Sequence, residues 1–173
     1  MVDMKQLLVL VALSLLSSCA MKGQSIRDVP TINSQNIQAP LRDLPKKEVT
    51  ISVVDARKDE VKAQSDELRS EVRRAVAEAL ERQGVAVKTP GANSLLLTIE
   101  DYQTGQFKEG CVKVSGVLTI PNKAKAKAEA SSCFETKHPF GFKMGTDITK
   151  AYEEALNLLF KNLDSALSEI YSH

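Results

Sequence analysis

Tryptophan is absent, and aromatic residues make up only 5% of this 173-residue chain. That scarcity argues against a nucleic-acid platform, where bases stack on successive aromatic rings. Charge of one sign is missing too. Lys and Arg number 23 against 22 Asp and Glu, so nothing draws the chain towards polyanions in general. There are two histidines, His138 beside Pro139 and His173 at the last position, and neither is placed as an obvious general base. No Gly-rich phosphate loop, zinc-ligand spacing or Gly-x-Ser-x-Gly elbow occurs. We therefore expect no enzyme, no cofactor and no metal site. What is present is enough apolar material, 43% of residues, for one ordinary domain, and this excludes disorder along the full length.

A long hydrophobic run is also lacking. Leu7 to Leu16 is apolar, about half of the roughly 20 residues needed to span a bilayer as a helix. With Lys5 before it, the run fits the hydrophobic region of a signal peptide, read over residues 1–18; Met4-Lys5 makes an alternative start. It ends in Leu16-Ser17-Ser18-Cys19, which resembles a bacterial lipobox. The thiol of Cys19 takes a diacylglycerol thioether, and small neighbours admit the peptidase. A mature chain of 173 − 18 = 155 residues follows. Ala20 rather than Asp follows Cys19, and in the enterobacterial sorting pattern this implies the periplasmic face of the outer membrane. Several acyl chains on one residue anchor stably.

Residues 19–48 read as the lipidated Cys and a flexible tether, because Pro30, Pro40 and Pro45 interrupt a stretch without periodicity. Val29 and Ile32 are candidates for local docking, and a short added strand is the competing reading. Val49 to Asp55 alternates and is β-branched, predicting a strand. Ser65 is the expected cap of a helix whose stripe is Leu68, Val72, Ala75, Val76, Ala79 and Leu80, closed by Gly84. Val85 to Val87 is a short extended piece, and Leu95 to Tyr102 the next strand. A last helix carries Ile148, Tyr152, Leu156, Leu159, Leu163 and Leu167, with Asp147 as its cap.

Gly110 to Ile120 alternates, and Ala124 to Ala130 alternates small and charged residues. The second stretch has helical composition, but seven residues are too few for an isolated helix, so the period of two decides. An antiparallel hairpin centred on Asn122 sets Leu118 opposite Ala126 and Cys111 opposite Cys133. Directly opposed cross-strand cysteines lie within disulfide reach, and an oxidising periplasm favours the bond.

The order β-α-β-β-β-α predicts an α+β, two-layer domain over residues 49–173: a mostly antiparallel sheet of about four strands, with two helices on one face. The lipobox, the Pro-containing tether and the strand ending Val53-Val54-Asp55-Ala56-Arg57-Lys58-Asp59 resemble the YajG-type bacterial outer-membrane lipoproteins, as does the helix closed by Gly84-Val85. The likeness runs loosely over residues 45–170, and the Cys111/Cys133 pair lies outside the pattern. The resemblance implies location and fold, and no enzymatic role.

Function on this reading is that of a non-catalytic, lipid-anchored docking or structural component for an envelope protein or assembly. The alternative is a carrier or transporter accessory with an apolar ligand held in a cleft over the Ala face. Asp55 and Arg57 read as a surface ion pair at a strand end. Phe140, Phe142 and Met144, flanked by Lys137 and Lys143, are the candidate contact with a partner or membrane surface; the competing reading folds the two rings under the sheet.

Overall fold

The computed structural model describes residues 29–57, 64–104, 110–123, 125–134 and 144–172. Its elements are β1 (Glu48–Asp55), α1 (Ser65–Arg82), β2 (Ala86–Val87), β3 (Asn93–Thr104), β4 (Gly110–Thr119), β5 (Lys125–Phe134) and α2 (Met144–Ser172). Two 3-10 turns, Ser34–Asn36 and Pro45–Lys47, precede β1.

The strands form one sheet in the order β2-β1-β3-β4-β5. It is mixed and five-stranded, where a mostly antiparallel sheet of four was expected. The cause is α1. It reverses the chain between β1 and β3, so the two strands pair in parallel, from Val49 opposite Asn93 to Asp55 opposite Ile99. The extended piece after Gly84 adds a second parallel partner, Ala86 opposite Glu48. Gly84 itself has φ of +78°. That conformation suits glycine at a helix end, and Val85 N–H donates back to the Leu80 carbonyl. At the other end of α1, Ser65 is the first helical residue and not the cap; Gln64 holds that position without a side-chain hydrogen bond.

The hairpin forms in the expected register, with Leu118 opposite Ala126, Gly116 opposite Ala128 and Cys111 opposite Cys133. The two cysteines are disulfide-bonded across a sequence separation of 22. A loop of that size corresponds to about 3 kcal/mol in the chain-entropy view. Cys133→Ser is accordingly expected to lower the melting temperature clearly, and a thermal melt unchanged from the parent would contradict that.

Both helices pack on the same face of the sheet. From the sheet come Val49, Ile51, Leu95, Leu97, Ile99, Val112, Val114 and Leu118, and from the helices Leu68, Val72, Val76, Leu80, Leu156, Leu159, Phe160 and Leu163, all buried. Gly116 lets α2 approach closely: a Cβ there would lie 3.2 Å from Leu163 Cδ1 and 3.4 Å from Leu159 Cδ2. The small Ala face opposite is therefore filled by helix.

The largest departure from expectation is in the supposed tether. Ile32, Ile37, Ala39, Leu41 and Leu44 are all buried, none more than 2% exposed. The segment is a strap laid between the two helices, and both hold its backbone. On the α1 side, Glu71 accepts from Ile32 N–H at 2.7 Å, Arg74 donates to the Ile32 carbonyl, and Arg82 donates to the carbonyls of Ser34 and Ile37. On the α2 side, Glu153 accepts from Asn33 N–H and Asn36 Nδ2, Asn157 from Gln38 N–H and Asp164 from Arg42 N–H. The domain thus begins upstream of residue 49. Prolines that rule out helix do not rule out a packed irregular segment whose polar groups are met by side chains.

Candidate functional site

The second face of the sheet is covered by nothing among the described residues. The ladder sets Ser52, Leu96, Val117 and Lys127 in one row across β1, β3, β4 and β5. The next row is Val54, Thr98, Ser115 and Glu129. Val54 and Leu96 are 45% and 40% exposed. They sit on adjacent strands one row apart, a small apolar centre on an otherwise polar face.

Charges frame that centre. A register shift between Ile99 and Asp101 leaves Glu100 unpaired in the ladder, the bulge geometry that re-aims a side chain. Lys113 Nζ lies 2.9 Å from Glu100 Oε2 and 3.3 Å from Glu129 Oε2. Hydrogen bonds from Lys113 and then Ser115 hold the Glu100 carboxyl below the usual carboxylate range. The bonds to Glu100 and Glu129 in turn raise Lys113. All three side chains remain solvent-accessible, so screening keeps the stabilisation small. The face presents charges of both signs around a small apolar centre.

Asp55 and Arg57, expected at the surface, are buried instead: their side chains are 1% and 5% exposed. Arg57 Nε donates to Asp55 Oδ1 at 2.9 Å and Nη2 to Oδ2 at 2.7 Å, while the Arg57 backbone N–H donates to Oδ1. Burial alone would raise the Asp55 carboxyl. Hydrogen bonds from Arg57 and Ser65 outweigh it and hold the group below its ordinary value. Ser65 is thus tied to the end of β1 instead of to its own helix. The bidentate pair closes on itself at the end of β1, and the Ser65 bond to Asp55 ties that end to the start of α1.

Lys113, Lys125, Lys127 and Glu129 lie on or at the rim of the open face, as their parity required. Cys19, Phe140 and Phe142 fall outside the described residues, and Met144 is the first residue of α2. An open groove of about 530 Å³ runs between Lys125, Ala126 and Lys127 of β5 and Ala166, Glu169 and Ile170 of α2. It lies open at the surface, at the edge where β5 meets α2. Among the described residues no group of three or more His, Cys, Asp and Glu side chains is placed to hold a metal. No described helix is long and apolar enough to cross a membrane.

Sequence reasoning missed the strap carboxylates Glu71 and Glu153. Helical position gave no sign of them, since each reads as one more charge off the apolar stripe. The available signal was the spacing of Ile32, Ile37, Leu41 and Leu44 within a segment whose prolines read as tether.

No family model and no curated protein matches the chain. Among solved structures it is similar to a PelC dodecamer from Paraburkholderia phytofirmans, at 14% identity and TM-score 0.48, covering 79% of this chain and 94% of that one. It is similar to protein XCC0632 from Xanthomonas campestris at 10% identity and TM-score 0.48, with 84% and 92% covered. A minor lipoprotein from Acinetobacter baumannii follows at 12% identity and TM-score 0.38, with 73% and 93% covered. Likeness at this level carries neither family membership nor function.

Proposed function

We propose that this chain is a non-catalytic envelope lipoprotein, anchored through Cys19 at the periplasmic face of the outer membrane, that docks onto an envelope protein through the open face of its sheet. The observation that carries the docking surface is the uncovered ladder around Val54 and Leu96, on adjacent strands of a rigid sheet. The anchor rests on the lipobox at Leu16-Ser17-Ser18-Cys19 and on the resemblance to YajG-type lipoproteins. A docking module needs a presented surface, and the uncovered sheet face supplies one.

A photo-crosslinking side chain at Leu96 in cells should give one discrete adduct. The same group at Leu158, exposed on α2, should not. Val54→Lys should abolish the Leu96 adduct without changing the melting temperature, because it puts charge at the apolar centre of an exposed face. Adducts of equal yield from both positions, or one indifferent to Val54→Lys, would remove the sheet face from consideration. Cys19→Ala should release the protein from the outer-membrane fraction; retention through a high-salt wash would refute the anchor.

A further inference from the structure

The strap decides which end of the domain meets the membrane. The sheet has two ends. One holds the start of β1 at Glu48, the turn between β4 and β5, and the C-terminal ends of both helices, where Lys123 lies over the Tyr171 ring. The other holds the end of β1 at Asp55, the end of β5 at Phe134 and the N-terminal ends of both helices. The ends are about 30 Å apart, the length of a ten-residue strand such as β4 at roughly 3.4 Å per residue.

A flexible tether reaching to residue 48 would hang the domain from Glu48, with the β4–β5 turn nearest the lipid. The strap reverses this. Its contacts step along each helix in one direction. Ile32 meets Glu71 and Arg74, then Ser34 and Ile37 meet Arg82 on α1. On α2, Asn33 meets Glu153, Gln38 meets Asn157, Arg42 meets Asp164 and Asp43 meets Ser168. The strap therefore runs towards the Glu48 end, and its upstream part, from Val29, which packs on the core, to Ile32 and Asn33, lies on the side of the helix N-terminal ends.

Taking the Cys19 anchor above as given, we infer that the domain turns its helix-N-terminal end to the lipid surface. Nine residues, 20–28, lie between Cys19 and Val29, making ten Cα-to-Cα steps. As a coil they span roughly 17 Å and fully extended about 35 Å. That reach is comparable to the domain's own length, so the attached end stays close to the bilayer. The strands then stand away from the membrane, and the open sheet face is presented sideways into the periplasm.

Glu67 and Glu81 are exposed residues near opposite ends of α1, about 21 Å apart along its axis. With Cys19 acylated and Cys111 bonded to Cys133, Glu67→Cys and Glu81→Cys each supply a single free thiol for a donor dye. The lipidated protein is placed on vesicles of phosphatidylethanolamine and phosphatidylglycerol carrying an acceptor-labelled lipid. Energy transfer should be severalfold more efficient from position 67 than from 81. Equal or reversed efficiencies with the protein vesicle-bound overturn the orientation and leave the anchor standing. Failure of acylated protein to bind vesicles overturns the anchor, and the orientation with it. Twenty Gly/Ser residues inserted between Cys19 and Val29 should shrink the difference; a difference unaffected by the insertion would refute the short link as its cause.

Discussion

Ile37→Ala is expected to destabilise the domain by about 2–5 kcal/mol, the range for emptying a fully buried aliphatic site. Ile37 is completely buried between the helices, although it lies in a Pro-flanked stretch that reads as linker. Gln35→Ala, two residues away and exposed, should change stability by no more than about 0.5 kcal/mol. Chemical denaturation of the two variants separates strap from tether: a silent Ile37→Ala would mean that the segment does not share the core. The strap also holds charges in place. Glu71 is kept below the usual carboxylate range by the Arg74 guanidinium, against burial and with help from Ile32 N–H. Its contribution is present above the ordinary carboxylate value and is lost as pH falls through the lowered one.

Arg57→Met should cost about 3–5 kcal/mol at neutral pH, because it leaves the Asp55 carboxylate buried without its cation. The double change Asp55→Asn with Arg57→Met should recover a large part of that loss, since no ionised group is then stranded. The pH dependence gives an independent sign. In the parent, Asp55 titrates below its ordinary 3.8, so its stabilisation is present above that value and is lost as pH falls through the lowered one. In Arg57→Met, desolvation remains while the main opposing hydrogen bonds are gone. The folded-state carboxyl then titrates above its unfolded value, and stability contributed by its protonated form grows as pH falls from neutral. Urea midpoints between neutral and mildly acidic pH should therefore rise for the variant relative to the parent. A constant offset across that range would show that Arg57 acts through packing alone.

The elements legible from sequence are those specified by local period. The alternation on either side of Asn122 has one register that buries both apolar faces, because a slip of one residue would turn every side chain over. That register alone brings Cys111 to Cys133. The stripe from Leu68 to Leu80 likewise defines α1 and the face it buries, since a 3.6-residue repeat leaves no other solution. Even the bare outer face followed from the parity of Lys113, Lys125, Lys127 and Glu129. Tertiary structure decided everything that depends on which elements become neighbours. The parallel pairing of β1 with β3 comes from α1 reversing the chain, and no residue in either strand encodes direction. Asp55 and Arg57 look the same in sequence whether exposed or enclosed; their burial is a property of the folded chain, in which Ser65 at the start of α1 bonds Asp55. The strap is the clearest case. Ile37, Leu41 and Leu44 stand at helical spacing, yet Pro40 interrupts the run and no α-helix forms there; their burial exists because two helices leave a channel between them. The carboxylates and guanidinium groups lining that channel satisfy an irregular backbone that could not satisfy itself.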